Sequence, residues 1–241
     1  MQISENIHNT IDRFPKGYIF TYMDFDIEVN QRDAVIKSLN RLVISGKINK
    51  LSKGKYYKPE ISTYGTLTPT PNQMVKDLLT KNGKVIGYIS GYGAYYELGL
   101  TTQVSNIIQI GKNEIRSAFK RGIYKIAFIK QKNKITKENI SLLKILDSIK
   151  FIKLIPDTSI DDSCIRLTAI IKKLESSELD LLIKLALKYP PATRALLGTL
   201  IETSIDKNRV EPLRLSLNPI SKYKFTLSLN VFPNLKKWNI I

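Results

Sequence analysis

The stretch Asn30-Gln31-Arg32-Asp33-Ala34-Val35-Ile36-Lys37-Ser38-Leu39-Asn40-Arg41-Leu42-Val43-Ile44-Ser45-Gly46 decides the fold. Ala34, Val35, Leu39, Leu42 and Val43 recur at helical spacing and trace one apolar face. Asn30 and Asp33 have the spacing of an N-terminal cap, and Gly46 supplies the stop. Opposite the apolar stripe stand Gln31, Arg32, Lys37, Ser38 and Arg41, side-chain types that reach base edges or phosphates. Two short β-prone runs follow, 48–51 and 56–58, around the turn 52–55, which predicts a hairpin. Lys50, Lys53, Lys55 and Lys58 surround it, and Gly54 lets the backbone come close to a phosphate. Of the hairpin tyrosines Tyr56 and Tyr57, alternation sends one into the core. Residues 30–59 hold eight basic side chains and one acid, a net +7.

Upstream, Ile3, Ile7, Ile11 and Phe14 predict a first helix ended by Pro15 and Gly17. Residues 18–20 are β-prone, and Thr21 with Asp24 has the form of a cap before a brief second helix. Three short helices and a basic hairpin within 60 residues give the element order of a winged helix-turn-helix. Downstream, 61–73 is rich in Thr, Ser, Pro and Gly without apolar periodicity and reads as a linker or an ordered surface connection, with the domain boundary placed there. Helices are predicted over 72–79, 91–98 and 140–149, and strands over 107–110 and 124–129. Ser177 and Asp180 look like a cap opening a helix to Lys188, and Pro190-Pro191 precede a helix to about 204. Alternation over 213–217 and 225–231 predicts two half-buried strands. The fold class is α+β: a winged helix-turn-helix over 1–60, the linker 61–73, and a larger, mostly helical α+β domain with short strands over 74–241.

With 241 residues and 43% apolar content the chain can build a packed core. No apolar run approaches the roughly 18 residues of a membrane span, and the N-terminus lacks a targeting profile, so a soluble, cytoplasmic protein without membrane partners is expected. One cysteine, Cys164, and one histidine, His8, exclude an internal disulfide and a Cys/His zinc cluster. The net charge of +17 points to a polyanion. It is concentrated: residues 106–153 carry +9 and residues 61–105 only +1. The segment 111–134 holds Lys112, Arg116, Lys120, Arg121, Lys125, Lys130, Lys132 and Lys134. Extension of a DNA footprint, an acidic protein partner and RNA all remain open for it. The glycines Gly83, Gly87, Gly91, Gly93 and Gly99 match neither a dinucleotide-binding pattern nor a P-loop. Asp157, Asp161 and Asp162 lack the spacing of an EF-hand, and His8 has no nucleophile beside it. A non-enzyme without cofactor or metal is expected.

Four stretches carry a family resemblance. They are 34–46 with the wing 51–57; Tyr95-Tyr96-Glu97-Leu98-Gly99-Leu100-Thr101-Thr102-Gln103-Val104-Ser105-Asn106; Tyr189-Pro190-Pro191-Ala192-Thr193-Arg194-Ala195-Leu196-Leu197-Gly198; and Trp238-Asn239-Ile240. In these the chain resembles the AbiEi-type antitoxins of type IV toxin–antitoxin systems, in the branch with an N-terminal winged helix. The resemblance implies a non-enzymatic antitoxin that represses its own operon and counteracts a nucleotidyltransferase-like toxin through its C-terminal region, without requiring tight toxin binding. The partners implied are the duplex DNA of its own operator and a functionally linked toxin; because one winged helix offers few base contacts, a homodimer assembled on inverted repeats is expected on the DNA, from a protein that is a monomer or a dimer in solution. By matching position the DNA-reading role falls on Gln31, Arg32, Lys37, Ser38, Arg41, Lys50, Lys53, Lys55 and Lys58. No role carries over to Thr101, Thr102, Gln103 or Arg194. The competing expectation is a winged-helix protein-interaction module, or a general regulator, whose basic surface binds an acidic partner.

Overall fold

The computed structural model describes residues 2–26, 28–204 and 209–241 of a mixed α and β protein. Its contacts divide the chain into two compact units, residues 1–77 with 120–124, and residues 78–119 with 125–241.

In the first unit, helix α1 (Gln2–Arg13) is followed by strand β1 (Ile19–Phe20) and a single 3-10 turn, Tyr22–Asp24. Thr21 and Asp24 cap that turn reciprocally: Met23 N–H donates to Thr21 Oγ1 at 3.1 Å and Thr21 N–H to Asp24 Oδ2 at 2.7 Å. The cap is as the sequence predicts, but the second helix shrinks to one turn. A further 3-10 turn, Val29–Gln31, leads into helix α2 (Arg32–Ile44). The Asn30–Asp33 cap does not form: Gln31 occupies the cap position, with helical backbone and no capping side-chain bond. Strands β2 (Asn49–Ser52) and β3 (Lys55–Tyr57) form the wing, and β1 pairs antiparallel with β3 to complete a sheet in the order β1-β3-β2. Val35, Leu39 and Leu42 of α2 are buried with Ile7, Ile11, Phe20, Phe25, Ile48 and Tyr56. Each such side chain withdrawn from water contributes about 1.5–3 kcal/mol. The element order is the one expected of a winged helix-turn-helix, with its second helix reduced to a 3-10 turn.

The segment 61–73 is largely structured, as an ordered connection would be. Strands β4 (Glu60–Ser62) and β5 (Gly65–Leu67) pair as a hairpin, and helix α3 (Pro71–Leu79) begins inside the segment. Thr, Ser and Gly there serve a turn, in which Ser62 Oγ donates to the Gly65 carbonyl at 2.9 Å.

In the second unit a short hairpin, β6 (Thr80–Lys81) and β7 (Lys84–Val85), precedes β8 (Gly87–Ser90) and helix α4 (Tyr92–Glu97). β8 pairs antiparallel with β9 (Ile107–Lys112), which pairs in parallel with β11 (Tyr124–Lys130); β10 (Phe119–Arg121) lies at the other edge, giving the order β10-β11-β9-β8. Helices α5 (Ile140–Lys150), α6 (Ile160–Ile171), α7 (Ser176–Ala186), α8 (Pro191–Ser204) and α9 (Glu211–Leu215) follow. Leu142, Leu146, Leu167, Leu182, Leu196, Leu200 and Trp238 share the core. Glu175 and Glu178 make the cap of α7, two residues earlier than Ser177 and Asp180.

Both predicted C-terminal strands are absent. Residues 213–215 belong to α9, where Pro212 sits in the first turn and Arg214 pairs with Glu211; Leu213 is buried while Leu215 is exposed. Residues 225–231 are irregular, because backbone pairing with the chain end occurs only at Tyr223 and Phe225, opposite 239–241. Among the described residues no helix is long and apolar enough to cross a membrane.

Gly198 packs against the six-membered ring of the fully buried Trp238, and a methyl group at 198 would stand within 2.6 Å of three of its carbons. Gly198→Ala is expected to destabilise the protein by on the order of 3 kcal/mol, measured by urea unfolding. Asp147, buried on α5, accepts hydrogen bonds from Tyr88 Oη (2.7 Å), Ser90 Oγ (2.7 Å) and Tyr189 Oη (2.8 Å). Burial raises its pKa, and these hydroxyls only partly oppose the rise. A raised pKa means that folding favours the protonated form, so the contribution of Asp147 to stability is full below the ordinary carboxylate pKa and is lost as pH rises through the folded value. Relative to Asp147→Asn, the wild type is expected to lose stability as pH is raised from the ordinary carboxylate range; a difference in unfolding free energy that is flat with pH would contradict this.

Candidate nucleic-acid interface

Burial of Val35, Leu39 and Leu42 turns the opposite face of α2 to solvent, and that face carries Arg32, Ala34, Lys37, Arg41 and Ile44. Arg32, Lys37 and Arg41 are all exposed, whereas Gln31 and Ser38 are half-buried at the margin. The Arg32 guanidinium lies over the Tyr22 ring at 4.4 Å, which restricts its rotamers at the start of the helix. The exposed face offers two kinds of contact: hydrogen-bond donors of long reach, and the apolar Ala34 and Ile44, suited to a thymine methyl.

The wing presents a narrower set than its sequence suggests. Lys50 and Lys53 are exposed, and Gly54 at φ +73° forms the turn without side-chain bulk. Lys55 instead binds Asp77 at 2.5 Å. Lys58 donates to the carbonyls of Asp12 (2.8 Å) and Phe14 (3.1 Å), closing the C-terminus of α1. Tyr56 is the core tyrosine: its hydroxyl donates to Asn40 Oδ1 at 3.1 Å, and burial raises its pKa. Tyr57 is half-buried and its hydroxyl accepts from Asn49 Nδ2 at 3.1 Å. The nine predicted positions thus resolve into Arg32, Lys37, Arg41, Lys50 and Lys53 as exposed cations, Gln31 and Ser38 at the edge, and Lys55 and Lys58 held within the protein.

Asp77 organises the base of the wing. It pairs with Lys55 and with Arg121, whose Nη1 reaches Asp77 Oδ1 and the Met74 carbonyl, both at 2.6 Å. Partial burial would raise the Asp77 pKa, but the hydrogen bonds and charges of Arg121 and Lys55 outweigh it and hold the carboxyl below its ordinary value. Sequence analysis missed this cluster because its members are far apart in the chain; the one local signal was an acid in a basic protein.

The remaining candidates for chemistry have structural duties. Asp162 and Ser159 cap α6, Asp161 accepts from Ser228 N–H at 3.0 Å, and Asp157 accepts from Gln103. Among the described residues no three metal-ligating side chains gather. His8 Nδ1 lies 3.2 Å from Lys47 Nζ. Cys164 is fully buried, and burial pushes its thiol up to about 12, so it holds its proton. In the cleft lined by Glu202, Asn234 and Lys237, the Glu202 carboxylate accepts from Trp238 Nε1 at 2.7 Å and from Lys237. Arg166 donates to the Leu98 carbonyl at 3.1 Å and lies against Gly99, holding the segment before Thr101. Arg194 is half-buried on α8, and its Nε has no hydrogen-bond partner.

No curated protein matches the chain significantly. Among solved structures it is similar to the RV2827C protein from Mycobacterium tuberculosis, at 12% identity and a TM-score of 0.57, over 94% of this chain and 86% of that one. That likeness is one of fold. The model of DUF6088, a family of unknown function, matches residues 6–179, which run from α1 into α7, and the chain belongs to that family.

Proposed function

We propose that this protein is a sequence-specific DNA-binding antitoxin that represses its own toxin–antitoxin operon through α2 and the wing. The second unit then counteracts a nucleotidyltransferase-like toxin in the cytoplasm, without cofactor or catalysis of its own. The observation that carries the DNA-binding part is the solvent face of α2, where Arg32, Lys37 and Arg41 stand exposed beside Lys50 and Lys53 of the wing. The antitoxin part rests on the resemblance of the Leu98–Val104 and Tyr189–Gly198 stretches to AbiEi-type antitoxins. One winged helix offers few base contacts, so two copies on inverted repeats are the natural reader. A specific observation favours a second reading, a protein-interaction module: Ile44 is 87% exposed and Met23 75% exposed, both in the first unit.

Fluorescence anisotropy with a duplex from the region upstream of the gene and a scrambled duplex, across a salt series, tests the proposal. Arg41→Ala with Lys53→Ala is expected to weaken upstream-duplex binding by about 1–3 kcal/mol for the base-reading residue and to reduce the salt slope. Lys58→Ala is expected to lower stability more than affinity, since that ammonium serves α1. Equal binding of both duplexes by the wild type would give the protein-interaction reading first place.

A further inference from the structure

The second unit carries a cluster of exposed cations at the end of β11. From Lys130 to Ile135 burial alternates strictly: Lys130, Lys132 and Lys134 are exposed, and Gln131, Asn133 and Ile135 are buried. A buried amide between two lysines needs partners, and each has them. Gln131 Nε2 donates to the Tyr88 and Tyr189 hydroxyls, both at 2.8 Å, and its Oε1 accepts from Asn133 N–H at 2.8 Å. Asn133 Nδ2 donates to the Leu185 carbonyl at 3.0 Å. Asn113 Nδ2 fastens the backbone from outside, donating to the carbonyls of Gln131 (2.8 Å) and Asn133 (2.7 Å). The lysines therefore project from a segment locked on both sides, although it lies beyond the regular strand.

Two further cations join them. Lys112 stands beside Lys130 in the parallel register of β9 and β11, a like-charge neighbour pair that folding alone disfavours. Arg116 lies over the rings of Phe119 (4.8 Å) and Phe128 (5.4 Å), which are themselves 6.3 Å apart and half-buried. Among the described residues, no carboxylate forms an ion pair with Lys112, Arg116, Lys130, Lys132 or Lys134.

The geometry points to a binding surface for single-stranded nucleic acid on the second unit, in which Lys130, Lys132, Lys134 and Lys112 track the phosphates and Arg116 with Phe128 and Phe119 forms a stacking edge for unpaired bases. Aromatic and guanidinium faces are useful to bases only when those bases are unstacked, which favours a single strand over a duplex. An acidic protein would use the lysines but not the stacked edge. The inference does not depend on the antitoxin reading, and binding through α2 is measured separately from it.

The test uses the full chain with fluorescein-labelled 20-mers of uridine and of thymidine and a 20-base-pair duplex, in anisotropy titrations over a salt series. The wild type is expected to bind the single strands, with a preference between uridine and thymidine identifying RNA or DNA as the source. Lys130→Ala, Lys132→Ala and Lys134→Ala together are expected to weaken single-strand binding at least tenfold and to lower the salt slope by about 2, for three phosphate contacts on a single strand. Arg116→Ala is expected to weaken it without a comparable change in slope. Because all three lysines are exposed, the triple variant keeps the wild-type melting temperature. Arg41→Ala with Lys53→Ala leaves single-strand binding intact. Undiminished binding by the triple variant, an equal loss for single strand and duplex, or no single-strand binding by the wild type would each overturn the proposal; the second would mean a duplex footprint, the third an acidic protein partner.

Discussion

One buried carboxylate sets the geometry of the second unit. Asp147 on α5 is satisfied only while β8 supplies Tyr88 and Ser90 and the turn before α8 supplies Tyr189. Leaving such a group without partners in a low-dielectric interior costs several kcal/mol, so these elements must hold their positions together. Gln131 extends the constraint, since it donates to both tyrosines whose hydroxyls face Asp147. Two polar side chains, Gln131 and Asn133, are thereby drawn inward from a segment whose other members are lysines. The same network that satisfies a carboxylate in the core dictates which residues of 130–134 face water.

The first unit rests on a different constraint, apolar and local. Val35, Leu39 and Leu42 meet Ile7, Ile11 and Phe20, and whatever lies opposite that stripe on α2 is presented outward. Locality made this part of the fold legible. The stripe, the Thr21–Asp24 cap, the wing turn at Gly54 and one inward tyrosine all follow from residues within a few positions of one another. The long-range partners did not follow. Lys55 and Lys58 read as phosphate binders, yet their partners Asp77 and Asp12 lie 22 and 46 positions away. Nothing in the spacing of a lysine-rich hairpin announces that two of its cations already have acceptors. The strands expected over 213–217 and 225–231 do not form, for a related reason: alternation describes a strand only where a neighbouring strand exists, and Pro212 and Glu211 favour a helix in the first segment.

The buried network was invisible for the opposite reason, because its residues carry no periodic signal. Tyr88, Ser90, Gln131, Asn133, Asp147 and Tyr189 belong to separate elements, and a lone Asp on an apolar helix reads as a surface residue. The sequence did hold one trace of it. Lys130-Gln131-Lys132-Asn133-Lys134 alternates charged with amide side chains, a pattern of period two with no hydrophobic member. Period two normally marks an apolar face; here the inward face is polar because it closes on Tyr88, Tyr189 and the Leu185 carbonyl.

A net charge of +17 says little until the cations are sorted by what they touch. Lys58 satisfies helix carbonyls, while Lys55 and Arg121 neutralise Asp77. These cations are already engaged within the fold, and a polyanion would have to displace their partners. Lys37, Arg41 and Lys53 are exposed around a helix and its wing, and these are the cations proposed to read a duplex, where direction and reach matter. Lys112 and Lys130 end paired strands and Lys132 and Lys134 stand on the locked segment beyond them, and these are the cations proposed to meet backbone phosphates. Charge of one sign on a compact protein repels itself, so folding stability alone gives no reason to place Lys112 beside Lys130. The positions at which repulsion is left uncompensated by carboxylates are those at which an external anion has the most to contribute.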